Sequence, residues 1–353
     1  MASPNAQRPG LVLDWLPGYR KEWLTADVVA GVTSAAVVVP KALAFATIAG
    51  LPLQAGLATA FVPAVLYALL GASRPLSIST TTTIAILAGA QVSTLAPEGS
   101  EVSPLTVAAT LSVVVGAILL VARLLRLGAV ANLISDPVLT GFKAGIGLVI
   151  IVDQLPKLLG VHITKAGWLR DLVSVFRHLG EVHAPTLLVG AGLLAAIFLV
   201  EHLAPKLPGP LIAVVAAIAA SSALGLAALG VATVGDVPAG FPPLTLPNLS
   251  LVEELWPGAV GIALMSFIET AAVGRAFRGK GEPQPDPDRE LVALGAANVA
   301  GGFFGCMPSG GGTSQSAVSR SAGAKTQLCG AVGALGALAT LLFLAPLLGL
   351  MPS

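Results

Sequence analysis

Long runs of Ala, Val and Leu, interrupted by Pro and Gly, fill most of the chain between residues 26 and 350. A helix needs about 20 apolar residues to cross a ~30 Å hydrocarbon core. On that measure the runs predict spans near 26–48, 54–71, 80–96, 104–122, 137–155, 184–203, 209–230, 256–274, 289–305, 313–322 and 326–350. The third and tenth are short or begin on polar residues. A membrane β-barrel would show apolar and polar residues in alternation, and these runs do not. Ahead of the first span, Leu11 to Leu24 carries Trp15, Tyr19 and Trp23 among Arg20, Lys21 and Glu22, the pattern of a helix lying in the membrane interface.

Placing the N-terminus inside and alternating sides puts thirteen Lys and Arg on inner segments: Arg8, Arg20, Lys21, Arg74, Arg123, Arg126, Lys206, Arg275, Arg278, Lys280, Arg289, Arg320 and Lys325. Four (Lys157, Lys165, Arg170 and Arg177) fall outside, and Lys41 and Lys143 lie within spans. The positive-inside rule therefore supports a cytoplasmic N-terminus and this number of spans. Residues 156–183, with Trp168 and Phe176, form the largest outer connection, and 275–290 an inner loop.

Composition narrows the classes. Of 353 residues, 55% are hydrophobic and 10% charged, which excludes an ordinary soluble domain. A net charge of +1 gives no basic field for nucleic acid. Met1 to Gly10 lacks the basic-then-apolar pattern of a signal peptide, so the first span is expected to stay in the mature protein. Cys306 and Cys329 lie in apolar surroundings and imply no disulfide role. His162, His178, His183 and His202 lack metal-ligand spacing and read as ordinary interfacial residues.

The polar interruptions repeat. In the first half Lys41 follows Pro40 inside a span, a second span comes next, and then Ser77-Ile78-Ser79-Thr80-Thr81-Thr82-Thr83. In the second half the order is Glu269, the span 289–305, and then Pro308-Ser309-Gly310-Gly311-Gly312-Thr313-Ser314-Gln315-Ser316. Threonine and glycine runs are poor helix formers, so each stretch should run extended before a half-helix begins. Such backbone survives at membrane depth only when buried in protein or lining a wet cavity. With the third span entering from inside and the tenth from outside, two half-helix N-termini approach near the midplane and suit an anion. The competing reading makes both runs small-residue packing surfaces.

Backbone N–H groups and the side chains of Thr81, Thr82, Thr83, Thr313, Ser314 and Gln315 are the expected anion donors. Lys41 adds a cation or snorkels from the Pro40 kink. Glu269, deep in the eighth span, is too costly to leave ionised and unpartnered, so it reads either as a protonatable coupling residue or as a carboxylate held by a neighbouring helix. Asp136-Pro137 reads as an N-cap followed by a first-turn proline. Lys143, Asp153 and Gln154 reach the interfaces. The glycines 310–312 lack the Lys-Ser/Thr and the preceding strand of a phosphate loop.

Three stretches resemble the sulfate permease (SulP) family of anion transporters: the one opening DVVAGVTSAAVVVPKALAFATIAGLPLQAG at Asp27, ISDPVLTGFKAGIGLVIIVDQLPKLLG from Ile134, and RELVALGAANVAGGFFGCMPSGGGTSQSAVSRSAGAKTQ from Arg289. The resemblance implies an all-α polytopic fold of two inverted seven-helix repeats. Helices 1–4 and 8–11 would form a core that moves against a gate, with substrate between the N-termini of helices 3 and 10. It divides the chain into an N-terminal interfacial segment (1–24), repeat one (25–230) and a partial repeat two (231–353). Relatives continue through three further gate helices into a cytoplasmic STAS domain, neither of which this sequence contains. Lys41 stands where the family commonly has Gln, and Gln315 where several animal relatives have Arg. Lys41 is therefore expected to supply the charge lost at position 315. Ser79-Thr80 replaces the usual Gly-Pro. Phe45, one turn beyond Lys41, resembles an aromatic that closes the family's substrate pocket.

The expected function is secondary active transport of a small anion such as sulfate, bicarbonate or a dicarboxylate. Coupling to H+ would run through Glu269, with Na+ as the alternative ion and no other cofactor. A passive channel or an exchanger of the same fold is the nearest rival. A membrane-embedded enzyme would need His or acid clusters that the sequence does not offer. The resemblance further implies a bacterial inner membrane, and a homodimer in the full-length protein.

Overall fold

The computed structural model describes residues 12–352 except 75, 98, 133–135, 162, 164–167, 205–208, 236, 238 and 280–283. Arg8, His162, Lys165, Lys206 and Lys280, named above, lie outside the described residues. Contacts divide the chain into two units, one of residues 1–133 with 241–341, the other of residues 134–240 with 342–353.

The first unit holds α1 (Leu24–Ile48), α2 (Leu53–Leu70), the two-residue strand β1 (Ile78–Ser79), α3 (Thr82–Leu95) and α4 (Pro104–Leu124). Numbering in chain order through the other unit, it also holds α9 (Val252–Ala276), α10 (Pro287–Gly302), β2 (Gly310–Gly311), α11 (Thr313–Ser321) and α12 (Leu328–Ala339). The ends follow local chemistry. Ser103 accepts from Leu105 N at 3.3 Å ahead of Pro104, and Asp286 accepts from Asp288 N at 2.9 Å ahead of Pro287. α4 packs on α9 and α10 much as α12 packs on α1 and α2. Those seams are made by small residues. A Cβ on Gly116 would stand 2.6 Å from Val299 N, and one on Gly31 2.7 Å from Cys329 O.

The second unit contains α5 (Asp136–Leu159), α6 (Trp168–Arg177), α7 (Ala184–Leu203) and α8 (Gly209–Leu224). α6 lies in the stretch read from sequence as a connection. Leu169, Leu172, Val173 and Phe176 recur at helical spacing over ten residues, too short for a search built on spans. His178 Nδ1 lies 2.8 Å from Ser174 O and His183 Nδ1 2.8 Å from Thr186 Oγ1, and no metal cluster occurs among the described residues.

The eleven expected spans all contain helix, and five helices among the described residues are long and apolar enough to cross a membrane alone. The last is not continuous: after α12 the chain makes a π-helical turn at Thr340–Leu344 before α13 (Ala345–Leu348). The expected helix over Leu11 to Leu24 is a correction. Among the described residues the segment turns at Pro17-Gly18 and forms only a 3₁₀ turn at Lys21–Trp23. Proline followed by glycine interrupts a helix. Its N–H groups bond across α2 instead, Leu13 N to Leu69 O at 2.6 Å and Trp15 Nε1 to Ala68 O at 2.8 Å.

Candidate anion site

β1 and β2 pair antiparallel, Ile78 opposite Gly311 and Ser79 opposite Gly310. Each strand leads into a helix within three residues, so this pairing sets the N-termini of α3 and α11 side by side. The Ser/Thr composition has a structural reason. Extended backbone inside a membrane protein must bond to protein groups. Gly311 N donates to Thr270 Oγ1 at 2.7 Å, Ser266 Oγ donates to Ser309 O at 2.7 Å, and Ser309 N donates to Asn298 Oδ1 at 2.8 Å. Thr80 Oγ1 donates to Pro308 O at 2.8 Å and Ser77 N to Ser316 Oγ at 3.0 Å. Glycine is needed because the strands lie against α9: a Cβ on Gly311 would stand 2.8 Å from Thr270 Cα.

Glu269, on α9 and 3% exposed, has hydroxyl partners: Thr81 Oγ1 donates to Oε2 at 2.8 Å and Thr83 Oγ1 to Oε1 at 3.0 Å. Thr81 is also the N-cap of α3, accepting from Ile84 N at 3.4 Å. The carboxylate therefore sits at the positive end of the α3 dipole, where anionic charge is favoured. Of the two readings, a partner on a neighbouring element is present, and that partner is the half-helix cap.

The start of α11 differs. Gly312 offers no side-chain cap, Thr313 and Ser314 are exposed, and Lys41 Nζ on α1 donates to Ser314 Oγ. Thr82, half-buried in the first turn of α3, has a hydroxyl without a partner among the described residues. Phe45 is partly buried and packs on the apolar core. Gln315 is turned away: 2% exposed, its Nε2 donates to Ser77 O at 2.9 Å and Ser79 Oγ at 3.0 Å. Lys41 and Gln315 thus take different partners.

Sequence reasoning missed Ser266, Thr270 and Asn298. Their signal was available, since Ser266 and Thr270 lie one helical turn apart in an otherwise apolar span and Asn298 sits alone among Ala and Val.

Comparison with known proteins agrees with this architecture. The chain is 36% identical over 346 residues to a probable sulfate transporter of Mycobacterium tuberculosis, covering 96% of this chain and 62% of that protein. Murine solute carrier 26 family member A9, described as an anion transporter in the inward-facing state, superposes with a TM-score of 0.91 at 26% identity, over 97% of this chain and 61% of that one. The transmembrane domain of a cyanobacterial bicarbonate transporter, BicA, shares the fold with a TM-score of 0.84 at 24% identity, over 95% of this chain and 86% of that one. The fold is accordingly the inverted-repeat helical fold of these transporter membrane domains, and the relatives are transporters, not enzymes. Residues 24–353 match the model of the sulfate permease family, and the chain belongs to that family.

Proposed function

We propose that this chain is the membrane-embedded part of a secondary active transporter of a small oxyanion, with sulfate the first substrate to test and H+ the coupling ion. The observation that carries the reading is the pair of half-helix N-termini joined by β1 and β2, one capped by Thr81 with Glu269, the other open beside Lys41. Two helix ends and an ammonium provide donors and positive potential for an anion. Sulfate is favoured by the name of the mycobacterial relative.

The contacts of Glu269 suggest how a proton is coupled. While ionised, the carboxylate takes both threonine hydroxyls and places its own charge at the α3 terminus. Once protonated it carries an O–H of its own, its charge is gone, and the α3 terminus is free to attract an exogenous anion. Proton and anion then favour each other's binding, and linkage makes the effect reciprocal. Alternating exposure of the site would convert this cooperation into symport. The setting is a bacterial inner membrane, with a homodimer as the full-length assembly.

Proteoliposomes with an imposed proton gradient test the reading. Concentrative sulfate uptake that collapses with the gradient supports symport. Uptake driven only by a counter-anion would make the protein an exchanger, flux that never exceeds equilibrium would make it a channel, and dependence on a Na+ gradient would replace H+.

A further inference from the structure

A polar cavity lies in the first unit at the end where α2 and α9 finish and α10 and α12 begin. It measures about 50 Å³, and Asp14, Ser73, Arg74, Gly274, Arg278 and Gln327 line it. That is room for a few waters or one small tetrahedral oxyanion. Gly274 packs beside Ser73, where a Cβ would stand 3.4 Å from Ser73 Oγ.

Three observations converge on a ligand. Ser73 is 3% exposed and its Oγ is buried without a hydrogen-bond partner, a state native proteins rarely leave standing. Gln327 is 1% exposed, and its Oε1 is likewise unpartnered. The orientation of that amide is fixed, because Nε2 donates to two carbonyls, Ser73 O at 2.6 Å and Leu76 O at 2.8 Å. Both residues line the cavity. Arg74 and Arg278 have no side-chain partner among the described residues. The one acid in the lining, Asp14, is already neutralised by Arg289 Nη1 at 2.8 Å.

We propose that this cavity binds a phosphate group, distinct from the site at α3 and α11. Two guanidinium groups and the Ser73 hydroxyl address its charged oxygens, and Gln327 Oε1 accepts from its remaining O–H. Sulfate at neutral pH has no O–H and leaves Gln327 Oε1 unpaired, which selects against it. The phosphate is either inorganic phosphate or the phosphomonoester headgroup of phosphatidic acid, since the positive-inside count expects this end at the cytoplasmic surface. Ser73 and Leu76 lie on the connection that runs into β1, so occupancy braces the segment that positions the α3 terminus.

Thermal unfolding of the protein in phosphatidylcholine nanodiscs, titrated with phosphate and separately with sulfate at equal ionic strength, tests this. Phosphate is expected to raise the midpoint saturably, and the double variant Arg74→Gln/Arg278→Gln to weaken that response by about tenfold or more while leaving the sulfate response intact. Lys41→Gln should do the reverse. Ser73→Ala, which removes an unpartnered buried hydroxyl, should leave the unliganded protein at least as stable as wild type yet reduce the phosphate response. Nanodiscs containing phosphatidic acid separate the sources: loss of the free-phosphate response there identifies the headgroup as occupant. No phosphate response in either lipid, or one unchanged in the arginine variant, overturns the proposal, as does a sulfate response that falls in parallel. Because phosphate is read independently of sulfate, failure of the transport reading would not be mistaken for failure of this one.

Discussion

Thr81 joins the cap of α3 to the carboxylate of Glu269, and its two bonds serve opposite ends of the proposed coupling. Glu269→Gln keeps the size of the side chain and removes the exchangeable carboxyl proton, so anion transport in this variant should lose its dependence on a proton gradient. In wild type, uptake should follow an imposed inward proton gradient, and flux against that gradient in the two proteins checks the coupling. Lys41→Gln should weaken anion binding by roughly 1.5–3 kcal/mol, the usual value of a charge-assisted hydrogen bond, measurable by calorimetry. Adding Gln315→Arg should not rescue it. The exchange looks natural from sequence, where both positions fall near one site, but Gln315 spends both amide hydrogens on Ser77 O and Ser79 Oγ. The direction of a side chain at a half-helix start depends on the strand beside it, and that strand comes from the other half of the chain.

β1 and β2 are two residues each, yet they hold the two halves of the first unit in register. Gly311→Ala would drive a methyl group to 2.8 Å from Thr270 Cα, and backbone cannot yield there as a flexible side chain would. A loss of about 1–3 kcal/mol in stability is expected, together with loss of anion binding, measured by denaturation and by calorimetry on the same preparation. Asn298→Ala should cost a similar amount by stranding Ser309 N. The half-helices themselves were legible from sequence because Thr and Gly runs contradict the apolar runs around them. The polar side chains that satisfy those runs, on α9 and α10, were not, because a lone Ser, Thr or Asn in an apolar span looks the same whether it bonds to its own helix or to a distant strand. α6 escaped for a different reason, being amphipathic and ten residues long.

The two contact units do not follow the repeat boundary expected at residue 230, because repeats and packing are different divisions of one chain. Each repeat contributes four helices to the unit that carries the site, and the small-residue seams between α4 and α10 and between α1 and α12 hold that unit together. Gly116→Leu should therefore destabilise the first unit as a whole. The order of the helices was readable from the apolar runs, each of which contains helix. The N-terminal segment is not the helix its aromatic and basic residues predict, because Pro17-Gly18 interrupts it and the C-terminal carbonyls of α2 take its N–H groups.

The most direct test is anion-dependent acidification inside proteoliposomes, with sulfate, bicarbonate, phosphate, chloride and dicarboxylates offered in turn to wild type and Glu269→Gln. Acidification driven by one class of oxyanion in wild type, and lost in the variant, is the result expected of proton symport through Glu269. Anion flux without proton movement, equal in the two proteins, would contradict it and leave Glu269 as a structural cap of α3.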